Sequence, residues 1–142
     1  DRFTRGKGLF HVIKFRPPAE EPDAEFPMIL STGRTLYNYN IGNMTRKAGV
    51  IDQKDPANFV EMHGDDAARL GIRDGANVRV LTRRGALVIM ARVSGKVRPG
   101  MLWMPFHHAE ASANLLTNDA FDSVTRTPEY KCCAARIESL SP

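Results

Sequence analysis

The chain has 142 residues, of which 42% are hydrophobic and 25% charged, a composition typical of one globular domain that excludes wholesale disorder. The net charge of +4 favours anionic ligands, but the basic residues are scattered, so we predict no nucleic-acid partner. No apolar run approaches the ~18 residues of a membrane helix, and we therefore predict no membrane insertion. Because the chain does not begin with Met, we expect a processed form or a piece of a longer protein.

The first 25 residues differ from the rest of the chain. Apolar residues crowd positions 9–15 and predict a short strand. Three prolines and four acids follow within residues 17–25, which predicts an extended connector on the surface. We therefore divide the chain into an N-terminal strand and connector, residues 1–25, and a compact domain, residues 26–142.

Short strands and one short helix are predicted in the first half of the compact domain. Apolar residues predict strands at 28–30 and 59–62. Acids at the start, Ala and Leu within and Gly71 at the end predict a helix over 65–70. Val78 and Val80 share one face of the strand that follows.

The second half of the domain continues with closely spaced strands. Residues 83–85 predict a hairpin turn in which Gly85 has a positive φ. The return strand, residues 86–93, is almost wholly apolar, so we expect both of its faces to be covered. Strands at 101–105 and 132–137 complete the set. This spacing favours a closed β-barrel over a layered α/β sheet.

Two polar loops, each launched from an apolar strand, are the most informative feature of the sequence. The units at 28–40 and 101–117 share this organisation, either by coincidence or because a pseudo-twofold barrel brings the loops together. Loops at the ends of rigid strands often carry binding residues. We therefore predict one face that holds a polar, anionic ligand.

Several side chains in these loops suit such a ligand. In Thr32-Gly33-Arg34, glycine permits a close backbone approach and arginine offers a fork of donors to phosphate or a polar heterocycle, although a surface ion pair is the alternative. Asn114 has a donor and an acceptor that fit a purine or pterin edge, but a cap or turn role remains open. Tyr130 offers stacking and Lys131 a phosphate contact.

Histidine and cysteine pairs give no metal site in this interpretation. We expect the adjacent rings of His107 and His108 to diverge, so hydrogen bonding to a ligand or to backbone is favoured over metal binding. Cys132 and Cys133 are the only cysteines and are interpreted as small apolar side chains in a strand. Without a Cys-x-x-Cys motif they cannot by themselves build a zinc site or an iron–sulfur cluster. No catalytic residue and no metal ligand is assigned.

An ordered series of short motifs resembles one known family. The motifs lie at residues 30–34, 42–46, 59–63, 66–72, 98–100, 104–107, 114–117 and 127–131. Together they resemble the C-terminal cofactor-binding domain of the molybdenum/tungsten bis-pterin oxidoreductases, the dimethyl sulfoxide reductase family. Residues 37–40 and 128–131 are most similar to the formate dehydrogenase alpha subunit, with nitrate reductase as the runner-up.

The resemblance implies a mainly β fold, a six-stranded double-psi β-barrel with a few short peripheral helices. It implies that the domain holds a bis-molybdopterin guanine dinucleotide with Mo or W and that iron–sulfur clusters lie elsewhere in the full-length enzyme. The implied contacts lie in the first loop, the second loop and the segment before the last strand: Thr32, Gly33, Arg34, Thr35, Asn38, His107, His108, Asn114, Tyr130 and Lys131. Some formate dehydrogenases have His in place of Asn38, which weakens the assignment of that contact.

The family reaction is the oxidation of formate to carbon dioxide, with two electrons passed to iron–sulfur clusters. The resemblance implies three further expectations: the isolated chain is inactive, its partners are the rest of the catalytic subunit and electron-transfer subunits, and its location is cytoplasmic, with a periplasmic one as the alternative. Two other classes stay open, a non-catalytic double-psi barrel adaptor and a nucleic-acid module.

Overall fold

The structure, a computed structural model, describes residues 2–140, so the outer limits of the two predicted segments lie outside the described residues. The strands are β1 Met28–Gly33, β2 Phe59–His63, β3 Asn77–Leu81, β4 Ala86–Ser94, β5 Met101–Pro105 and β6 Cys133–Ser139. The α-helices are α1 Gly49–Lys54 and α2 Gly64–Leu70, with 3₁₀ turns at Thr45–Lys47, Ala109–Ala111 and Ala113–Leu115.

The strands close into a barrel in the order β1-β5-β2-β4-β3-β6. The pairs β1–β5 and β2–β4 are parallel, and the remaining pairs are antiparallel. This mixed topology confirms the predicted six-stranded double-psi β-barrel with few short helices. In the β1–β5 pair, Ile29 lies opposite Met101 and Gly33 opposite Pro105, so both strands end at the same edge of the barrel.

Alternate residues of the strands fill the barrel interior. Fully buried core side chains include Leu30, Val60, Met62, Val80 and Leu102. Side chains on successive strand positions point to opposite faces, so each strand contributes every second residue to this core. Burial stabilises the fold by roughly 25 cal/mol per Å² of apolar surface.

Strand β4 does not have two covered faces, contrary to the sequence prediction. Ile89 and Ala91 are buried, but Val88 is 55% exposed and Arg92 is also exposed. In a barrel, one face of each strand packs inward while the other faces outward, and no described element fully covers the outer face of β4. The apolar run therefore reflects β propensity as well as burial.

The strand predicted over residues 9–15 is absent from the described chain. Residues 8–18 have no regular structure, and the side chains of Phe10 and Val12 are 97% and 98% exposed. Within residues 2–140 no strand pairs with this segment, and an unpaired strand leaves its backbone groups without a ladder.

The predicted connector is attached to the barrel through several contacts, of which the Glu20 carboxylate makes the most; Asp23 also pairs with Arg83, and the Ala19 N–H donates to Glu129. Residues 17–25 contain no helix or strand, as expected. The Glu20 carboxylate accepts hydrogen bonds from Arg84 at 2.7 and 2.8 Å and from the backbone N–H of Ala134 at 3.2 Å. The connector is therefore held against the β3–β4 turn and β6 rather than running free over the surface.

Gly71 and Gly85 are glycines for different reasons, one for its backbone conformation and the other for close packing. Gly71 ends α2 with φ +66°, which confirms the predicted cap. Gly85 does not have the predicted positive φ. It lies instead against the backbone carbonyl of Leu115, which a Cβ atom at this position would approach to 3.0 Å. Close packing of the second loop, not turn geometry, requires glycine there.

Candidate functional site

The two polar loops leave the same end of the barrel because β1 and β5 are parallel neighbours. Arg34, from the first loop, and Asn114, from the second, line one cavity of about 360 Å³. Its walls are formed by Thr32, Arg34, Asn40, Ile41, Phe106, Asn114, Pro128 and Tyr130. Two loops and the segment before β6 thus contribute to one concave surface.

Arg34 is held in place without an ionic partner. Its Nε and Nη2 atoms donate to Asn40 Oδ1 at 3.1 and 2.9 Å, and its guanidinium carbon lies 5.3 Å from the ring centroid of Phe106. The side chain is exposed, and no carboxylate of residues 2–140 forms an ion pair with it. A preoriented cation on a cavity wall can bind an anionic ligand.

The segment before β6 is attached to β1 beside this arginine. The Thr32 hydroxyl donates to the Tyr130 carbonyl at 2.9 Å, and the Lys131 ammonium donates to the Thr32 carbonyl. Tyr130 and Phe106 meet edge to face, with ring centroids 6.3 Å apart. Burial lowers the pKa of Lys131, and the charge of Arg34 lowers it further. Arg34 and Lys131 therefore place two cations on one face. That positive face is complementary to a phosphate group.

A second cavity, of about 610 Å³, adjoins the first and shares Ile41, Phe106 and Asn114 with it. Its other lining residues are Gly42, Asn43, Arg46, Lys47, Asp52, His107, His108, Ala109, Glu110 and Ser112. The two cavities form one elongated depression along the loops. An extended ligand with several polar groups fits this shape better than a small compact one.

Both histidines of the second loop are buried, and the expectation that their rings diverge is wrong. Only 3% of His107 and 1% of His108 is exposed, and the two ring centroids lie 4.2 Å apart at 42°. The chain bends at Phe106, directly after β5, and the two rings lie together on one side of it. Burial lowers the pKa of each histidine, so both are neutral at neutral pH.

Asp55 faces the two histidines from the chain after α1. Its Oδ2 atom accepts from the Thr35 hydroxyl at 2.6 Å and from the Asn38 amide at 2.8 Å. Burial alone would raise the pKa of Asp55, but these hydrogen bonds and the neighbouring histidines outweigh burial and lower it. A buried carboxylate therefore joins the first loop to the second.

The predicted contacts thus fall into distinct groups. Thr32, Arg34, Asn114 and Tyr130 share the first cavity, and Lys131 lies beside it. His107 and His108 contribute to the second cavity, whereas the side chains of Thr35 and Asn38 are engaged with Asp55. Gly33 packs against Trp103, whose Nε1 would lie 2.6 Å from a Cβ at this position. Its required smallness is explained by packing within the barrel.

A separate cavity of about 490 Å³ lies beside Trp103 and includes Thr35 but neither Arg34 nor Asn114. The Arg92 guanidinium stacks 3.3 Å from the centroid of the Phe59 ring on its wall. Among the ten predicted contacts, only Thr35 lines it. Six of the ten predicted residues line the elongated depression, namely Thr32, Arg34, His107, His108, Asn114 and Tyr130, whereas this cavity contains one.

Sequence reasoning missed Asp55 and the ion pair between Arg46 and Glu110. Asp55 stands between Lys54 and Pro56 at the end of a short helix, a context without a recognisable binding motif. Arg46 and Glu110 meet only because the two loops converge. No local signal could have found either feature.

A comparison with protein families matches residues 28–134 to the "Molydopterin dinucleotide binding domain". The chain belongs to this family. The match covers β1 to β5, the first two residues of β6 and both polar loops. It confirms the resemblance inferred from the motifs.

Curated relatives are similar over nearly the whole domain. This chain is 42% identical over 135 residues to the alpha subunit of F420-dependent formate dehydrogenase 1 from Methanococcus maripaludis. The match covers 95% of this chain and 20% of that protein. It is 45% identical over 129 residues to the periplasmic nitrate reductase of Desulfovibrio desulfuricans, covering 89% of this chain and 17% of that protein. The domain thus spans about a fifth of the length of the relatives it matches.

Among solved structures, acetylene hydratase from Pelobacter acetylenicus matches with a TM-score of 0.71 and 19% identity, covering 81% of this chain and 18% of that one. At this identity the match supports the fold alone.

In residues 2–140, every helix is too short or too polar to cross a bilayer.

Proposed function

We propose that the domain binds a bis-molybdopterin guanine dinucleotide along the elongated depression. The observation that carries this proposal is the convergence of Arg34 and Asn114 on one cavity from two distant loops. The donor set fits the group: Arg34 and Lys131 suit phosphates, Asn114 suits the edge of a purine or pterin, and Tyr130 offers a stacking face. When bound, the metal–pterin group supplies two-electron redox chemistry.

The residues of this chain bind and orient the cofactor rather than react. Arg34, fixed by Asn40 and Phe106, presents its remaining guanidinium N–H groups to the ligand. Thr32 and Lys131 hold the segment of Tyr130 in register with β1. Five further residues remain predicted cofactor contacts: Gly33, Thr35, Asn38, His107 and His108. No catalytic residue is proposed within the chain.

Substitution of Arg34 in the full-length subunit tests the binding proposal. A hydrogen bond to a charged group contributes roughly 1.5–3 kcal/mol, so Arg34→Ala should weaken binding about 10- to 150-fold. Molybdenum or tungsten content and guanine-nucleotide content per purified subunit should fall, and Asn114→Ala should act in the same direction. The matched control is Arg73→Ala, an exposed arginine in the turn after α2. Unchanged cofactor content in Arg34→Ala contradicts the proposal.

We further propose that the complete subunit is the catalytic subunit of a formate dehydrogenase, which passes two electrons from formate to iron–sulfur clusters. Support comes from the formate dehydrogenase relatives and from residues 37–40 and 128–131. The second candidate is a nitrate reductase, favoured by the 45% identity to a relative of that name. Dye reduction driven by formate supports the first, and oxidation of a reduced dye by nitrate supports the second.

This assignment includes partners and a compartment. The rest of the catalytic subunit would complete the cofactor site, electron-transfer subunits would accept the electrons, and the isolated chain would be inactive. The cytoplasmic location also remains a prediction, which fractionation of the source cells tests. An adaptor without cofactor would leave the donor set of the depression unused, and co-purification of pterin with the subunit distinguishes the two.

A further inference from the structure

Asp55, His107 and His108 form a buried group with the composition of a metal site. Their potential ligand atoms all lie within 4.8 Å of one another. His107 Nε2 is 3.0 Å from Asp55 Oδ2, and His108 Nε2 is 4.0 Å from Asp55 Oδ1. Among residues 2–140 no other cluster of acids, histidines and cysteines meets this condition.

The histidine nitrogens lack the hydrogen bonds that buried polar atoms normally make. Both ring nitrogens of His107 and Nε2 of His108 are inaccessible and have no hydrogen-bond partner within the described residues. The approach of His107 to Asp55 is short, but it is not aligned as a hydrogen bond. Unpaired buried polar atoms are costly, so a group that satisfies several of them at once would stabilise this arrangement.

The separations between the donors match the size of a small divalent cation. Zinc binds imidazole nitrogen and carboxylate oxygen at about 2.0–2.2 Å, which places neighbouring ligands of a tetrahedral site about 3.3 Å apart. The observed distances, 3.0 Å from Asp55 Oδ2 to His107 and 4.0 Å from Asp55 Oδ1 to His108, fall on either side of this value. Since Oδ2 already accepts two hydrogen bonds, Oδ1 is the freer ligand atom, and the side chains would have to rotate to bring it and the two ring nitrogens to bonding distance of one ion.

The surroundings of the carboxylate resemble those of a metal ligand. Thr35 and Asn38 both donate to Asp55 Oδ2 and fix its orientation, as outer hydrogen bonds commonly do for ligating carboxylates. The nearby Arg46 is paired with Glu110 and Asp52, so its charge is compensated.

We propose that Asp55, His107 and His108 bind one divalent transition-metal ion of the zinc type. The ion has three protein ligands, and its fourth position is open to water from the cavity that both histidines line. Bound there, the ion links the chain after α1 to the second loop, and through Thr35 and Asn38 to the first. The proposed ion is distinct from the metal of the pterin cofactor, although His107 and His108 also line the depression proposed for that cofactor.

Cobalt and zinc uptake by the full-length protein tests the proposal. The purified protein is treated with a chelator, loaded with Co²⁺ or Zn²⁺ and freed of excess ion before elemental analysis. We expect one equivalent more in the parent than in His108→Gln or Asp55→Asn, with visible cobalt absorption that the two variants lose. The control His11→Gln changes an exposed histidine in the N-terminal segment and should keep the ion.

Two results overturn the proposal: a parent protein that takes up no ion with this absorption, or an equal uptake by the parent and both variants. If Asp55, His107 and His108 form only a hydrogen-bonded cluster, the parent protein takes up no ion. In that case the variants can still lower the melting temperature, so a lower melting temperature does not support the proposal. Cobalt uptake by the parent does not depend on the folding of any variant. Pterin and guanine-nucleotide contents are measured on the same samples, so a failure of the cofactor proposal is recorded separately.

Discussion

Arg46 donates to both carboxylate oxygens of Glu110, at 2.9 and 3.0 Å, and so joins the segment after the first loop to the second loop. Arg46 also lies 3.5 Å from Asp52. This planar, two-point contact spans the second cavity, which both residues line. The ion pair therefore sets the distance between the two walls.

The first prediction concerns the pH dependence of this pair. The hydrogen bond from Arg46 lowers the pKa of Glu110 from 4.5 to about 2. Because the folded-state pKa lies below the unfolded one, the stabilisation is full above about pH 4.5 and is lost as the pH falls towards 2. Glu110 is 67% exposed, so solvent screening limits the contribution to about 1 kcal/mol or less.

Chemical denaturation of the parent and of Glu110→Gln measures this effect. The difference in unfolding free energy should be present at pH 7, shrink by pH 3 and shrink in high salt. Glu21→Gln, an exposed acid outside the elongated depression, serves as the control. A difference of the same size at both pH values would show that shape, and not charge, connects the two residues.

Gly33→Ala should destabilise the barrel by about 1–3 kcal/mol, the usual effect of overpacking. The added Cβ would lie 2.6 Å from the Trp103 indole nitrogen, on the strand paired with β1. Thermal or urea unfolding measures the loss. Gly95→Ala is the matched control, because nothing lies within 4 Å of a Cβ there. Equal stability of the two variants would mean that the indole moves aside without cost.

Leu102→Ala should cost about 2–5 kcal/mol, because Leu102 is fully buried and its removal leaves a cavity. Val88→Ala, on the outer face of β4, should cost about 0.5 kcal/mol or less, since Val88 is 55% exposed. Denaturant midpoints of the two variants provide the comparison. Similar losses at both positions would contradict the assignment of the inner and outer faces.

Glu20→Gln should loosen the attachment of the N-terminal connector to the barrel, while the Asp23–Arg83 and Ala19–Glu129 contacts remain. The Arg84 hydrogen bond, more than any other contact, lowers the pKa of Glu20, so its contribution is present above pH 4.5 and is lost at lower pH. We expect faster proteolysis within residues 17–25 and faster amide exchange at Ala134, with little change in the core. Glu21→Gln again provides the control. Unchanged protection of Ala134 would show that Glu20 does not hold the connector.

Much of the barrel could be predicted because its signals are local. Strand β5 occupies the predicted residues, Met101–Pro105, and α2 begins one residue before the predicted helix. Gly71 could be assigned because a helix cap depends on the backbone of one residue and its neighbours. The failures at β4 and at residues 9–15 have a different cause. An apolar run shows that a strand is favourable but not which faces or partners it will find.

The candidate site was predictable in its loops but not in its interior. Arg34 and Asn114 stood out because polar side chains follow an apolar strand in each loop. The role of Asp55 depends on contacts with Thr35, Asn38 and the histidines, which only the closed barrel brings together. For the same reason, the adjacent rings of His107 and His108 could not be placed from their spacing alone.

The parallel pairing of Met28–Gly33 with Met101–Pro105 has a consequence for biosynthesis. These strands are far apart in sequence, so their contact forms late, after a large loop has been closed. A nascent chain that has not yet released β5 from the ribosome carries Arg34 without the opposite wall. Any ligand that needs both walls must therefore be loaded after translation of the domain is nearly complete.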